Sequence, residues 1–174
     1  NANGGTGTTA NSSHVYGTEK ALTENGFSRT GYTFSGWATS ATGAKAYADK
    51  QSVTNLTSTS GGTVNLYAVW TPIPYSIAYN ANGGTGTTAS SSHTYGTAKA
   101  LTANAFTRTG YTFSGWATSA TGAKAYSDKQ SVSNLSTKNG ETITLYAKWT
   151  ANTYKVVYNG NGNTGGSTAN SSHT

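Results

Sequence analysis

The chain contains no cysteine and no methionine, and only 2 of its 174 residues are proline. The lack of cysteine excludes disulfides, thiolate metal sites and a cysteine nucleophile. Cysteine-free domains are common outside the cell, where an unpaired thiol is a liability. The composition is therefore consistent with an extracellular protein.

Charged residues are also scarce, at 9% of the chain. Asp49 and Asp128 occupy equivalent positions in the internal repeat described below, and no other acid recurs. One acid per repeat cannot supply the carboxylate pair of a general acid–base mechanism. Three histidines each follow Ser-Ser in a loop and bring no further ligands together for a metal ion; they are His14, His93 and His173. We therefore expect neither an enzyme nor a metal or other cofactor.

The 11 lysines and arginines give a net charge of +6, but they form no run along the chain. A nucleic-acid site would need basic residues clustered on one face. No apolar segment approaches the roughly 18 residues that indicate a transmembrane helix. We expect no nucleic-acid partner and no membrane span in this segment.

An internal repeat dominates the chain. Residues 31–47 and 110–126 are identical, and residues 1–71 align without a gap to residues 80–150 with 16 differences in 71 positions. A third copy begins at Asn159. We therefore predict three segments: repeat 1 at residues 1–71, a complete repeat 2 at 72–150, and the start of repeat 3 at 151–174. The linkers are residues 71–74 and 150–153, and the two prolines of the first predict an extended, stiff connection.

Aromatic residues and alternating patterns predict a mainly β fold, α+β at most, with little helix. Residues 75–79 and 142–149 read as the first and last strands of repeat 2, and a bulge near Gly115 would turn Trp116 to the inner face. Residues 128–135 are expected to hold one helical turn. The predicted core comprises Tyr32, Phe34, Trp37, Leu66, Trp70, Ile77, Phe113, Trp116, Leu145 and Trp149.

Three motifs in series resemble the Listeria–Bacteroides repeat, the B-repeat family first associated with internalin B. They are Gly-Tyr-Thr-Phe-Ser-Gly-Trp, then Leu-Tyr-Ala-Val/Lys-Trp-Thr, then Tyr-x-Ile/Val-x-Tyr-Asn-x-Asn-Gly-Gly. The resemblance covers nearly the whole chain. It implies tandem small β-grasp-like domains in secreted or surface-anchored bacterial proteins, often adhesins, and it transfers no catalytic residue.

The first strand is distributed unevenly among the copies. Repeat 1 has no counterpart of residues 75–79, whereas the third copy has this strand and little else. We predict that this strand fills the vacancy in another repeat 1, either in a longer chain or between chains, and builds a head-to-tail filament. The predicted strand-pairing interface is Tyr154, Lys155, Val156, Val157 and Tyr158. Pairing of these residues only within their own chain would count against it.

The sequence therefore predicts a structural or adhesive surface repeat that acts as a stalk spacer or filament subunit, with further copies of the same repeat as partners. The alternative is a glycan-binding module that uses Tyr67 and Tyr146 on the outer strand face, with host or cell-surface glycans as partners. A third hypothesis is a Lys–Asn isopeptide cross-link at Lys45 or Lys124, with Asp49 or Asp128 as the required acid.

Overall fold

The computed structural model describes residues 1–162 and 164–174, and these residues form fourteen β-strands and no helix. The fold class is mainly β, as the sequence predicts. The strands of repeat 1 are β1 (Thr6–Gly7), β2 (Lys20–Ala21), β3 (Phe27–Ser28), β4 (Tyr32–Ala38), β5 (Ser52–Val53) and β6 (Tyr67–Pro72). Those of repeat 2 are β7 (Pro74–Asn80), β8 (Ser91–Thr94), β9 (Lys99–Ala100), β10 (Tyr111–Ala117), β11 (Ser131–Val132) and β12 (Thr142–Ala151). The last two are β13 (Tyr154–Val156) and β14 (Ser171–His173).

The two repeats share their strand pairings. In repeat 1, β4 pairs with β6 and β2 pairs with β5, all antiparallel. In repeat 2, β10 pairs with β12 and β9 pairs with β11 in the same registers. Repeat 2 also contains a four-stranded sheet in the order β10-β12-β7-β8, in which β7 and β12 run parallel.

The bulge predicted near Gly115 is present, because the register of β10 on β12 shifts between Phe113 and Gly115. Gly115 has a φ of 142°, and a Cβ there would lie 2.5 Å from the carbonyl oxygen of Tyr126. Only glycine tolerates this close approach. The shift places Trp116 in the core with no exposed surface.

The expected helical turn at residues 128–135 is wrong. The segment instead contains a turn followed by β11, in which Val132 pairs with Lys99 of β9. Val132 is buried at this pairing and Leu135 is half-buried. The i, i+3 spacing of the two side chains does not specify a helix, since a short strand followed by a loop also turns both inward.

The chain divides into two compact units. The first consists of Asn1–Tyr75, Ser92–Ala98 and Ser133–Glu141. Its core contains Leu22, Trp37, Val53 and Ala68, and half-buried aromatic and aliphatic side chains pack against this cluster. Ile73, the single residue between β6 and β7, is also buried, so the expected linker is extended and belongs to the packed part of the chain.

The second unit consists of Ser76–Ser91, Lys99–Val132 and Thr142–Thr174. Its fully buried side chains include Ile77 of β7, Trp116 of β10 and Leu145 of β12. These three come from strands that neighbour one another in the four-stranded sheet. The first strand of the repeat therefore contributes directly to the core of repeat 2.

Candidate strand-pairing site

In repeat 2 the first strand, β7, lies between β12 and β8. Its parallel register places Ser76 opposite Thr142, Ile77 opposite Ile143 and Tyr79 opposite Leu145. Inward-facing Ile77 is fully buried. This occupied site shows what surrounds the first strand of a complete repeat.

Side chains and backbone groups at the ends of β7 hold it in place. The ring of Tyr79 packs against Trp116 with centroids 4.7 Å apart, and its hydroxyl accepts a hydrogen bond from Thr102 N at 2.8 Å. The ring of Tyr75 stacks on His93 at 5.4 Å, and Gly140 N donates to Pro74 O at 2.8 Å. Each tyrosine of β7 therefore has a defined aromatic partner.

Repeat 1 has a groove at the equivalent place, with a volume of about 860 Å³. Its walls are residues 9–16 and 55–66, and its floor includes Leu22, Phe27 and Trp37. Subtracting 79 from the residue numbers of the β7 neighbours His93, Thr102, Trp116 and Leu145 gives His14, Thr23, Trp37 and Leu66, and all four line this groove. The groove of repeat 1 therefore corresponds in sequence to the site that β7 occupies in repeat 2.

The walls of the groove contain less strand and are less buried than their counterparts in repeat 2. Residues 63–66 form no strand, whereas residues 142–145 belong to β12. Leu66 is half-buried, whereas Leu145 is 0% exposed, and His14 is exposed, whereas His93 is 2% exposed. Leu66 and Leu145 are the same residue type, as are His14 and His93, and only the second member of each pair lies beside β7 or packs on its Tyr75.

Two backbone donors of the groove have no protein partner within the described part of the chain. They are Thr23 N and Gly61 N, whose counterparts Thr102 N and Gly140 N bond to Tyr79 and Pro74 of the first strand. At the end of the groove, Asn1 N donates to Leu66 O at 2.8 Å and Asn1 O accepts from Ala68 N at 2.9 Å. Asn1 thus takes the pairing position that Asn80 has opposite Tyr146 in repeat 2.

The predicted interface residues 154–158 lie partly in a strand. β13 ends at Val156 and pairs with β14 in its own chain, and the ring of Tyr154 stacks on His173 at 5.2 Å. This pairing within its own chain counts against the prediction that residues 154–158 pair with another repeat 1. On the described residues β13 has no pairing equivalent to that between β7 and β12, and Tyr154, Val157 and Tyr158 are 61%, 66% and 53% exposed.

The predicted core residues fall into two groups. The buried ones are Trp37, Ile77, Trp116 and Leu145, and the half-buried ones are Tyr32, Phe34, Leu66, Trp70, Phe113 and Trp149. Among the half-buried residues, Trp70 and Trp149 each donate the indole N–H to a backbone carbonyl, that of Ala2 or Ala81, at 2.9 Å.

The tyrosines predicted to bind glycans are not freely exposed. Tyr67 and Tyr146 are both half-buried, because each lies within a paired strand, opposite Ala38 and Ala117 respectively. Among the described residues, the strand of Tyr67 pairs with β4 alone, whereas Tyr146 lies in β12 between β10 and β7. The more exposed rings include Tyr16, at 69%, and Tyr111, over which the guanidinium of Arg108 lies at 3.9 Å.

The few charged groups serve local structure. Asp49 and Asp128 accept hydrogen bonds from Asn25 N and Asn104 N, which explains why this acid recurs. A hydrogen bond from Lys50 to the Glu24 carboxylate, with an N–O distance of 2.6 Å, raises the pKa of the exposed Lys50 amine. In the described residues no group of three or more acids, histidines or cysteines could hold a metal ion, and no helix could cross a membrane.

Sequence reasoning missed one set of contacts inside the first unit. Tyr95 packs edge-on against Tyr32 at 5.7 Å, and Tyr95 N donates to Ile73 O at 2.9 Å. A Cβ on Gly31 would lie 2.4 Å from the Tyr95 ring. The signal available in the sequence was the isolated apolar Ile73 between two prolines, which is unusual for a solvent-exposed linker.

A family model described as the Listeria-Bacteroides repeat domain matches residues 1–69 and 75–148. The two matches cover most of the chain as two tandem copies, and their boundaries coincide closely with the internal repeat. No curated protein and no solved structure matches the chain.

Proposed function

The chain belongs to the Listeria-Bacteroides repeat family, and we propose that it is a structural and adhesive segment of an extracellular bacterial surface protein. It acts as a stalk spacer or filament subunit whose repeats join head to tail by strand pairing. The observation that carries this proposal is the parallel pairing of β7 with β12, in which the first strand of a repeat completes the sheet and contributes Ile77 to the core. Strand addition of this kind, by main-chain hydrogen bonds, is a recurrent way of joining protein modules.

Three further observations support an assembly role. Repeats of this family occur in bacterial surface proteins. A strand with the pattern of β7, at residues 154–158, is exposed in the same chain. Pairing of a strand from one repeat with a different part of the next is a heterologous contact, and such contacts produce open-ended filaments when they do not close into a ring.

Electron microscopy and sedimentation over a range of protein concentrations test the proposal. We expect fibres or a concentration-dependent series of oligomers for the native chain. Val156→Asp would place an unpaired charge in the contact and shift the distribution to monomer. Lys155→Asp, on the opposite face of the same strand, is the matched control and should assemble. Monodisperse single particles at every concentration would contradict the filament role.

Glycan binding remains a second candidate because Tyr111 presents an exposed ring backed by the Arg108 guanidinium. Aromatic faces of this kind stack on sugar rings. A glycan array with the native chain and with Tyr111→Ala tests it: a binder should lose its signal in the variant. Tyr126→Ala, a half-buried ring, controls for loss of folding.

A further inference from the structure

We propose that the first and last strands of repeat 2 form a mechanical clamp, which makes the repeat resist tension applied along the chain. The two strands are β7 and β12, which are neighbours in the four-stranded sheet and run parallel. This inference deepens the spacer role of the proposed function and rests on it for the source of the load. It does not depend on how copies of the chain assemble.

Tension along the chain acts on repeat 2 at opposite ends of these two adjacent strands. The chain enters the repeat at the start of β7, at Pro74, and leaves it at the end of β12, at Ala151. Because the strands are parallel, pulling the start of one and the end of the other slides them past each other along their common axis. In an antiparallel pair the two loaded ends would lie side by side, and tension would peel the strands apart pair by pair.

Sliding loads the whole ladder between β7 and β12 at once. The ladder runs from Ser76 opposite Thr142 to Asn80 opposite Tyr146. These pairs lie in series along the line of force, so they share the load. The backbone hydrogen bonds must therefore yield together, and the barrier to forced unfolding reflects several bonds rather than one.

The second half of β12 is held by its other neighbour, β10. β7 pairs with the first half of β12, up to Tyr146, whereas β10 pairs with the second half, from Tyr146 to Ala151. Tension on the end of β12 must therefore slide this strand past both neighbours. The strand cannot move along its axis without breaking both ladders.

Buried side chains cover the inner face of the clamp. Ile77 of β7 and Leu145 of β12 have no exposed surface, and the ring of Tyr79 packs on Trp116. A backbone hydrogen bond that water cannot reach meets no competing partner while it stretches, and the low local dielectric strengthens it. Sliding would also separate Ile77 and Tyr79 from their apolar contacts, which adds to the barrier.

Both linkers pass the load to the ends of these strands. Ile73, before β7, donates its N–H to Gly31 O at 3.0 Å, and Asn152, after β12, donates its N–H to Gly110 O at 2.9 Å. The two linker residues occupy equivalent positions in the repeat, and Ile73 is buried. A linker that is bonded in this way is not a free hinge, so tension is applied directly to β7 and β12.

Pulling on the protein in two directions tests the clamp, because the native chain has no cysteine and introduced pairs define the attachment points. Thr71→Cys/Thr153→Cys loads β7 and β12 at opposite ends. Thr71→Cys/Asn139→Cys loads both strands at their starts, which are adjacent because Gly140 N donates to Pro74 O at 2.8 Å. All three substituted residues are exposed. In single-molecule force spectroscopy at one loading rate, we expect the first variant to unfold at a force at least about twofold higher.

The gain in contour length identifies the event, since it corresponds to the residues between the two attachment points. Equal unfolding forces in the two directions would overturn the proposal. Overall stability cannot explain a difference, because both variants contain the same folded repeat.

A matched pair of core substitutions, made in the first variant, separates the clamp from general stability. Ile77→Ala lies in the clamp, whereas Leu101→Ala lies next to β9 and outside it. Both side chains are buried and lose the same number of carbon atoms, so both variants should lose similar stability in denaturant. Only Ile77→Ala should lower the unfolding force, to about half. An equal reduction in both variants would overturn the proposal, because resistance would then follow global stability.

The outcomes separate this inference from the proposed function. A direction-dependent force, together with single particles in the microscope, would support the clamp and refute the filament. Native fibres, together with equal forces in the two directions, would refute the clamp and leave the filament role standing.

Discussion

Tyr79 and Trp116 pack ring to ring at 4.7 Å, and this contact connects the first strand of repeat 2 to its central tryptophan. Trp37 has the same sequence position in repeat 1 and lines an open groove instead. The same residue thus packs against a strand in one repeat and lines an open groove in the other. The following predictions use such equivalent pairs as internal controls.

Amide hydrogen exchange should distinguish residues 63–66 from residues 142–145. The first segment forms no strand, whereas each residue of the second pairs with β7. Exposed backbone amides exchange by local opening, while paired core amides need larger unfolding events. We expect slower exchange at residues 142–145 by at least about a hundredfold at low protein concentration. Equal protection of the two segments would contradict an open edge in repeat 1.

The same measurement at high protein concentration extends this prediction. If copies associate through the groove, residues 63–66 should gain protection while residues 142–145 stay unchanged. An increase at both segments would indicate general aggregation rather than occupation of the groove.

Tyr79→Ala should destabilise repeat 2 by about 2–4 kcal/mol, because it removes a partly buried ring and leaves Thr102 N without its partner. Denaturant unfolding followed by tryptophan fluorescence measures this loss. Tyr158→Ala, at the equivalent but 53% exposed position, should change the free energy of unfolding by less than about 0.5 kcal/mol in dilute solution. Similar losses in the two variants would show that Tyr158 is packed in the isolated chain.

Gly31→Ala and Gly110→Ala form a matched pair for the Tyr95 contact. Both glycines have a φ of 76°, so the backbone strain of alanine is the same at the two positions. A Cβ at Gly31 would strike the Tyr95 ring, whereas at Gly110 it meets nothing within 4 Å. We expect Gly31→Ala to cost about 1–3 kcal/mol more than Gly110→Ala in the free energy of unfolding.

The double variant Gly31→Ala/Tyr95→Ala checks the cause of that excess. Removing the Tyr95 ring should reduce the cost of alanine at position 31 to that at position 110, which is a coupling measurable in a double-mutant cycle. An excess that persists without the ring would refute the steric explanation.

Glu24→Ala should lower the pKa of Lys50, because the Glu24 hydrogen bond is the main cause of its elevation. The pair stabilises the fold at pH values below the pKa of a free lysine, and this stabilisation is lost as the pH rises through the elevated pKa. Repeat 2 has Ala103 in place of Glu24 and serves as a natural control at Lys129. NMR titration of the lysine side chains, at low and high salt, measures the shift. An unchanged Lys50 pKa would exclude Glu24 as its cause.

Particular residues show how far the sequence reached. The alternation at residues 75–79 and 142–149 predicted two strands, and out-of-phase Trp116 predicted the bulge, because pleat parity is a local property. The spacing of Val132 and Leu135 failed to specify a helix, since it fits more than one local structure. Tyr67 and Tyr146 were expected to be exposed, but burial of an outer face depends on neighbouring strands that parity does not reveal.

The sequence by itself determined the repeat, its period, the mainly β class and the family, because these depend on residue identity, spacing and alternation along the chain. The tertiary structure alone decided that β7 runs parallel to β12 and that residues equivalent to its neighbours enclose a groove in repeat 1. Those facts depend on which distant segments meet across a sheet. Two nearly identical sequences differ in burial there because burial depends on the strand alongside, which lies outside the sequence of the wall itself.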